Sequence, residues 1–187
     1  MSLILTVVGL GYVGLPLAEE ACRSGIKVSG FDTSRAVVDG LNSGMSHVGD
    51  VDPEEVVAMG HLGFVATDDP SCIADSNVVV ICVPTPLSEE GVPDMAAVIE
   101  ACHTISVHLQ PGSLVALEST TYPGATDGAV RRMLEEGSGL VAGDDFALAY
   151  SPERLDPGNL TYGLRNTPKV VGGLTQSCTE RAVGFYS

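Results

Sequence analysis

Leu3-Ile4-Leu5-Thr6-Val7-Val8-Gly9-Leu10-Gly11-Tyr12-Val13-Gly14 is the stretch whose reading decides the fold. Residues 3–8 are almost continuously apolar and rich in branched side chains, the pattern of a strand covered on both faces. Three glycines follow in G-x-G-x-x-G spacing, and residues 15–24 then take helical spacing and stop at Gly25, a natural C-cap. Residues 26–31 form a second apolar strand that ends at Asp32. Strand, glycine turn, helix and strand closed by an acid are the parts of a dinucleotide site, each with a physical task. Gly9 permits the tight turn, Gly11 lets backbone come close to a pyrophosphate, and Gly14 lets the helix pack on the strand. The helix then aims its N-terminal amides at the phosphates, with Tyr12 and Val13 in the same turn. Asp32, 18 residues after Gly14, stands where a carboxylate accepts both adenosine-ribose hydroxyls. The same charge repels a 2′-phosphate and so favours NAD over NADP. The plainer alternative is a glycine-rich turn that serves sheet packing alone.

Outward from this turn the pattern repeats. Helices are expected over 34–42, 53–59, 94–109 (with Asp94 as cap) and 126–136, and another begins at Thr175. Strands are expected over 63–66, 77–83, 113–118, 146–150 and 169–172, with a Pro/Gly-containing loop over 151–166. Alternation with short connections predicts an α/β fold: a doubly wound, mostly parallel Rossmann sheet with helices on both faces, in one domain over 1–187. A hydrophobic content of 44% supplies a sizeable core, and 22 glycines with only 5% aromatics suit such a fold. The net charge of −15 argues against nucleic-acid and anionic-membrane partners, which need a basic face. No apolar run reaches the roughly 18 residues of a membrane span, and no basic-then-apolar leader opens the chain, so a cytoplasmic protein is expected. The five cysteines are scattered without metal-ligand spacing and read as packing residues of a reducing compartment; no metal is expected. The four histidines are not clustered and read as surface or packing residues.

Three further segments sit at strand ends, where open α/β sheets bind ligands. After residues 77–83, Pro84 and Pro86 stiffen a loop in which Thr85 offers a hydroxyl to the cofactor; a turn without ligand is the alternative. After residues 113–118, Ser119-Thr120-Thr121-Tyr122-Pro123-Gly124 places three hydroxyls in a row, suited to cofactor or water positioning and equally to helix capping. After residues 146–150, Glu153 and Arg154 are either a base and an anion anchor or a solvated ion pair. The acids Glu89, Glu90 and Asp94 read as a solvated loop plus a helix cap.

Five stations in order, GLGYVGLPLA (9–18), VPTP (83–86), STTYPG (119–124), SPERLDPGN (151–159) and KVVGG (169–173), make the chain resemble the NAD domain of the nucleotide-sugar (UDP-glucose/GDP-mannose type) 6-dehydrogenases. LESTTYPG with SPERLDPGN is most similar to the branch acting on UDP-N-acetylhexosamines, such as UDP-N-acetylglucosamine 6-dehydrogenase. The resemblance implies oxidation of a UDP-sugar's primary alcohol to a carboxylate with two NAD⁺, in a homodimer. It implies that Thr120 and Glu153 assist the active-site water and proton transfers, with Glu153 as a general base, and that Glu153 and Arg154 face the sugar. Pro84, Thr85, Ser119 and Thr120 would join Gly9, Gly11, Tyr12, Val13, Gly14 and Asp32 around NAD. The family's nucleophilic Cys lies in a GGxCFPKD-like stretch that does not occur here, so the expectation is a fragment that holds NAD but lacks covalent catalysis. Two departures stand out. Val37 occupies the place of a basic residue five positions after the ribose Asp, leaving Arg35 to cover the adenosine, and Ala125 replaces the usual Thr after Pro-Gly. Two rival readings are a stand-alone NAD-sensing module and a hydroxyacid-type Rossmann dehydrogenase.

Overall fold

The computed structural model describes residues 3–87, 91–154 and 166–187. Seven strands form a single sheet in the order β3-β2-β1-β4-β5-β6-β7. They are β1 (Ile4–Val8), β2 (Lys27–Phe31), β3 (Val65–Thr67), β4 (Val78–Ile81), β5 (Leu114–Leu117), β6 (Ala147–Tyr150) and β7 (Gly172–Gly173). β1 to β6 are parallel, whereas β7 runs antiparallel to β6, with Ala149 opposite Gly173. The chain moves outward from β1 to β3, returns, and continues from β4 on the other side. The β1–β4 boundary is therefore the switch point at which crossovers leave a crevice at the strands' carboxyl ends.

The helices are α1 (Gly14–Arg23), α2 (Arg35–Asn42), α3 (Pro53–His61), α4 (Ala96–His108), α5 (Arg131–Ser138) and α6 (Gln176–Tyr186). The pleat explains why the strands are apolar throughout. Val78 and Val80 of β4 pack on the layer built by Leu15, Leu17 and Ala18 of α1 with Cys178 and Ala182 of α6. Val79 and Ile81 point the other way, onto Val98, Cys102 and Ile105 of α4 with Leu134 of α5. All four β4 side chains are buried, as a strand between two helical layers requires.

The sequence-based elements are present, with corrections at their ends. A 3₁₀ turn over Pro70–Asp75, capped by Asp69 on the Ser71 amide, was not expected. It is too short to carry a helical period. α4 begins at Ala96, because Asp94 caps from two residues before it, accepting from the Ala96 amide at 2.9 Å. The helix expected over 126–136 is a π-turn, Thr126–Val130, leading into α5; Val130 N–H reaches back five residues to the Ala125 carbonyl at 3.0 Å. The strand expected over 169–172 is shifted to Gly172–Gly173. Glycine is required there, since a Cβ on Gly173 would lie 2.3 Å from the Thr179 amide nitrogen at the start of α6. Glu89, Glu90 and residues 155–165 lie outside the described residues.

Candidate functional site

The glycine turn closes over the crevice at the β1–β4 switch. Gly9 holds φ +92° and donates its amide to the Phe31 carbonyl at 2.8 Å, tying β1's end to β2's. A Cβ on Gly14 would stand 1.8 Å from the Gly9 carbonyl oxygen, so α1 presses directly on the turn. Gly11 differs: no atom lies within 4 Å of where its Cβ would stand. The space over Gly11 is open, and no side chain caps the α1 N-terminus behind it. Open space beside an uncapped helix start is what a pyrophosphate needs, and the turn fits one.

Asp32 sits at the end of β2 and accepts two backbone bonds, from Leu10 N–H at 2.9 Å on Oδ2 and from Ser34 N–H at 2.8 Å on Oδ1. Each carboxylate oxygen keeps a further lone pair, so both remain able to accept from a ribose hydroxyl. Asp32 thus also braces the turn it serves.

Two cavities share Gly11, Cys82, Val83 and Pro84. The first, about 350 Å³, lies on the Asp32 side and is lined also by Gly9, Thr33, Val37, His47 and Glu100. The second, about 310 Å³, runs toward β5 and β6 and gathers Tyr12, Val13, Thr85, Glu118, Ser119, Thr120 and Glu153. Nine of the sequence-derived candidates (Gly9, Gly11, Tyr12, Val13, Asp32, Pro84, Thr85, Ser119, Thr120) and Glu153 therefore line one continuous edge. Gly14 acts behind it through packing.

The three hydroxyls after β5 separate by role. Ser119 donates to the Val83 carbonyl at 2.7 Å and clamps β5's end to β4's. Thr121 contacts the Met95 sulfur at 3.4 Å. Thr120 is exposed and lines the cavity. None of them caps the following helical turn, whose cap residue, Ala125, makes no side-chain bond.

Two candidates stand elsewhere. Arg35 is 81% exposed, lies 3.9 Å from Asp39 and lines neither cavity, whereas Val37 does line the first. Arg154 is exposed and donates to the Pro168 carbonyl at 3.0 Å, bracing its own loop.

The structure adds residues that the sequence pattern did not single out. Glu118, with no exposed side-chain surface, accepts from the Lys169 ammonium at 2.7 Å. Glu153 lies 3.8 Å from the same ammonium, which also stands 4.8 Å from the centre of the Tyr186 ring. Burial pushes the Glu118 carboxyl above its ordinary range, with Lys169 opposing. Burial, reinforced by Glu118, holds the Cys82 thiol and the Tyr186 hydroxyl well above theirs. A Glu closing an apolar run and a Lys opening another were the available signals, but nothing in sequence pairs them across 51 positions. His47, expected as a surface or packing residue, is exposed and also borders the first cavity.

Comparison with known proteins decides the family. Residues 3–187 match the UDP-glucose/GDP-mannose dehydrogenase family, NAD binding domain. The chain belongs to this family. As its NAD-binding domain, the chain takes NAD as cofactor, and the open turn over Gly11 has room for a pyrophosphate. The chain is 37% identical to the UDP-N-acetyl-D-mannosamine dehydrogenase of Pyrococcus horikoshii, over 97% of this chain and 44% of that protein. It is 37% identical to the UDP-N-acetyl-D-glucosamine 6-dehydrogenase of Pseudomonas aeruginosa, over 99% of this chain and 43% of that protein. Among solved structures, the NDP-N-acetyl-D-galactosaminuronic acid dehydrogenase of Methanosarcina mazei Go1 superposes with a TM-score of 0.91 at 36% identity, covering 99% of this chain and 42% of that one. The chain thus spans less than half the length of these relatives. Neither rival reading, sensor module or hydroxyacid-type dehydrogenase, is supported by the matches.

Proposed function

We propose that this chain forms the NAD-binding half of a nucleotide-sugar 6-dehydrogenase that oxidises the C6 alcohol of a UDP-N-acetylhexosamine to a carboxylate. The observation that carries the reading is the convergence of Thr120 and Glu153 with the glycine turn around one cavity. The relatives' substrate names point to the N-acetylhexosamine branch. Converting an alcohol to a carboxylate removes two hydrides and adds one water, so two NAD⁺ are consumed per sugar. NAD, bound along this edge, supplies the hydride acceptor.

The chain's own residues then divide the work. The amides of the glycine turn and the α1 N-terminus hold the pyrophosphate, and Asp32 holds the adenosine ribose. Thr85 and Thr120 line the far cavity with their hydroxyls, and Ser119 keeps the strand ends together beneath them. Glu153 accepts a proton from the attacking water, a general-base role that needs hydrogen-bond reach to that water. Arg154 adjoins this acid, and the sugar-facing role proposed for it rests on the family resemblance. In this reading residues 1–187 are one domain of a larger cytoplasmic homodimer.

The test is a chimera in which this chain replaces the matching 43% of the Pseudomonas aeruginosa relative. It should form two NADH per UDP-N-acetylglucosamine and far less with UDP-glucose. A folded chimera that binds NADH but turns over neither sugar would overturn the reading.

A further inference from the structure

Beneath Glu153 lies an ionic cluster that cofactor binding does not explain. The Lys169 ammonium, on a side chain only 17% exposed, is boxed by Glu118 at 2.7 Å, Glu153 at 3.8 Å and the Tyr186 ring at 4.8 Å. Glu118 is fully buried at the end of β5, and a buried carboxylate is tolerated only when paired. It therefore anchors the ammonium. Glu153 follows β6; its backbone N–H donates to the Glu118 carbonyl at 3.4 Å, and its Oε1 accepts from the Arg154 amide at 2.7 Å. That leaves Oε2 turned to Lys169. Two carboxylates thus divide one cation.

This division matters for a general base. A carboxylate paired alone with a lysine is a weak base, whereas one without a cation is protonated too readily. We propose that Lys169 is a positioning residue for Glu153: anchored on Glu118, its ammonium orients the Glu153 carboxylate, while Glu118 limits how much of the charge Glu153 receives. The inference rests on the role of Glu153 under the proposed function. Among the described residues, the other titratable groups facing the cluster are Cys82, after β4, and Tyr186, on α6; Arg154 adjoins Glu153. Burial keeps the Cys82 thiol and Tyr186 hydroxyl protonated through neutral pH.

The test is a carbon NMR titration of glutamate carboxyls in the 187-residue chain without nucleotide. The Glu153 signal is assigned by its loss in Glu153→Gln. Glu118→Gln should lower the proton affinity of Glu153, since Lys169 then serves it alone. Adding Lys169→Met to that variant should raise the affinity about tenfold, the effect of removing one close opposite charge, while Lys169→Arg should leave it within about threefold of the parent. The double variant carries the test even if Lys169→Met alone fails to fold, because it strands no buried carboxylate. Equal Glu153 affinities in Glu118→Gln and in the double variant would overturn the proposal. NADH titration of the same samples reads the proposed function separately, so the two failures are distinguishable.

Discussion

Gly11→Ala separates binding from folding. The new methyl meets no atom within 4 Å, and Gly11 is not among the glycines of positive φ, so the apo chain has room for it. Alanine at a compatible backbone position restricts the unfolded chain and is neutral or stabilising by about 0.4–1 kcal/mol. For a chain of this size that is a rise in Tm of roughly 1–4 °C. The same methyl stands in the open space where the pyrophosphate must meet backbone. Losing one charge-assisted amide bond there costs about 1.5–3 kcal/mol, or about 10- to 150-fold in affinity. Gly14→Ala is the control: its Cβ falls 1.8 Å from the Gly9 carbonyl oxygen and forces α1 off the turn. It should lower both stability and binding. Thermal unfolding and NADH fluorescence titration on the three proteins measure the two effects. Binding by Gly11→Ala within threefold of the parent would refute the assignment of the turn to the pyrophosphate.

Asp32→Asn should weaken NADH binding about tenfold, one lost charged hydrogen bond; Asp32→Ala should also lower Tm, because Leu10 and Ser34 amides lose their acceptors. An unchanged dissociation constant in Asp32→Asn would count against the ribose role. Burial raises the Glu118 carboxyl above its unfolded value, so the native chain holds that proton longer than the unfolded chain does. Stability from this site is fully present below the unfolded value and is lost as pH rises through the folded one. The stability of Glu118→Gln relative to the parent should therefore increase as pH rises above about 4, the unfolded carboxyl range, measured by urea unfolding; a flat difference would contradict it. Burial pushes the Cys22 and Cys102 thiols up to about 12 and the Cys82 thiol well above its ordinary value, so all three should resist iodoacetamide in the native chain at mildly alkaline pH and react once it is unfolded. Mass spectrometry of the labelled peptides reads this directly.

The central parallel sheet was legible because its strands bury both faces, which writes them as apolar runs: residues 77–83 and 113–118 contain β4 and β5 whole. The glycine turn and Asp32 were legible because G-x-G-x-x-G and a strand-ending acid carry fixed backbone tasks. What the sequence concealed were features set by tertiary approach. β7 could not be placed from residues 169–172, since its position follows from Gly173 allowing α6 to close on the sheet beside β6. Ser119 and Thr120 look alike in sequence; only the approach of β4's end shows that one is spent on the Val83 carbonyl. The Lys169–Glu118 pair joins elements far apart in the chain and leaves no local trace.

The most direct test of the central claim is a parallel titration of the 187-residue chain with NADH and NADPH, followed by nicotinamide fluorescence. The geometry at Gly11 and Asp32 predicts saturable NADH binding, with NADPH at least about tenfold weaker because Asp32 repels the 2′-phosphate. No saturable binding at millimolar NADH, or equal affinity for the two, would contradict it.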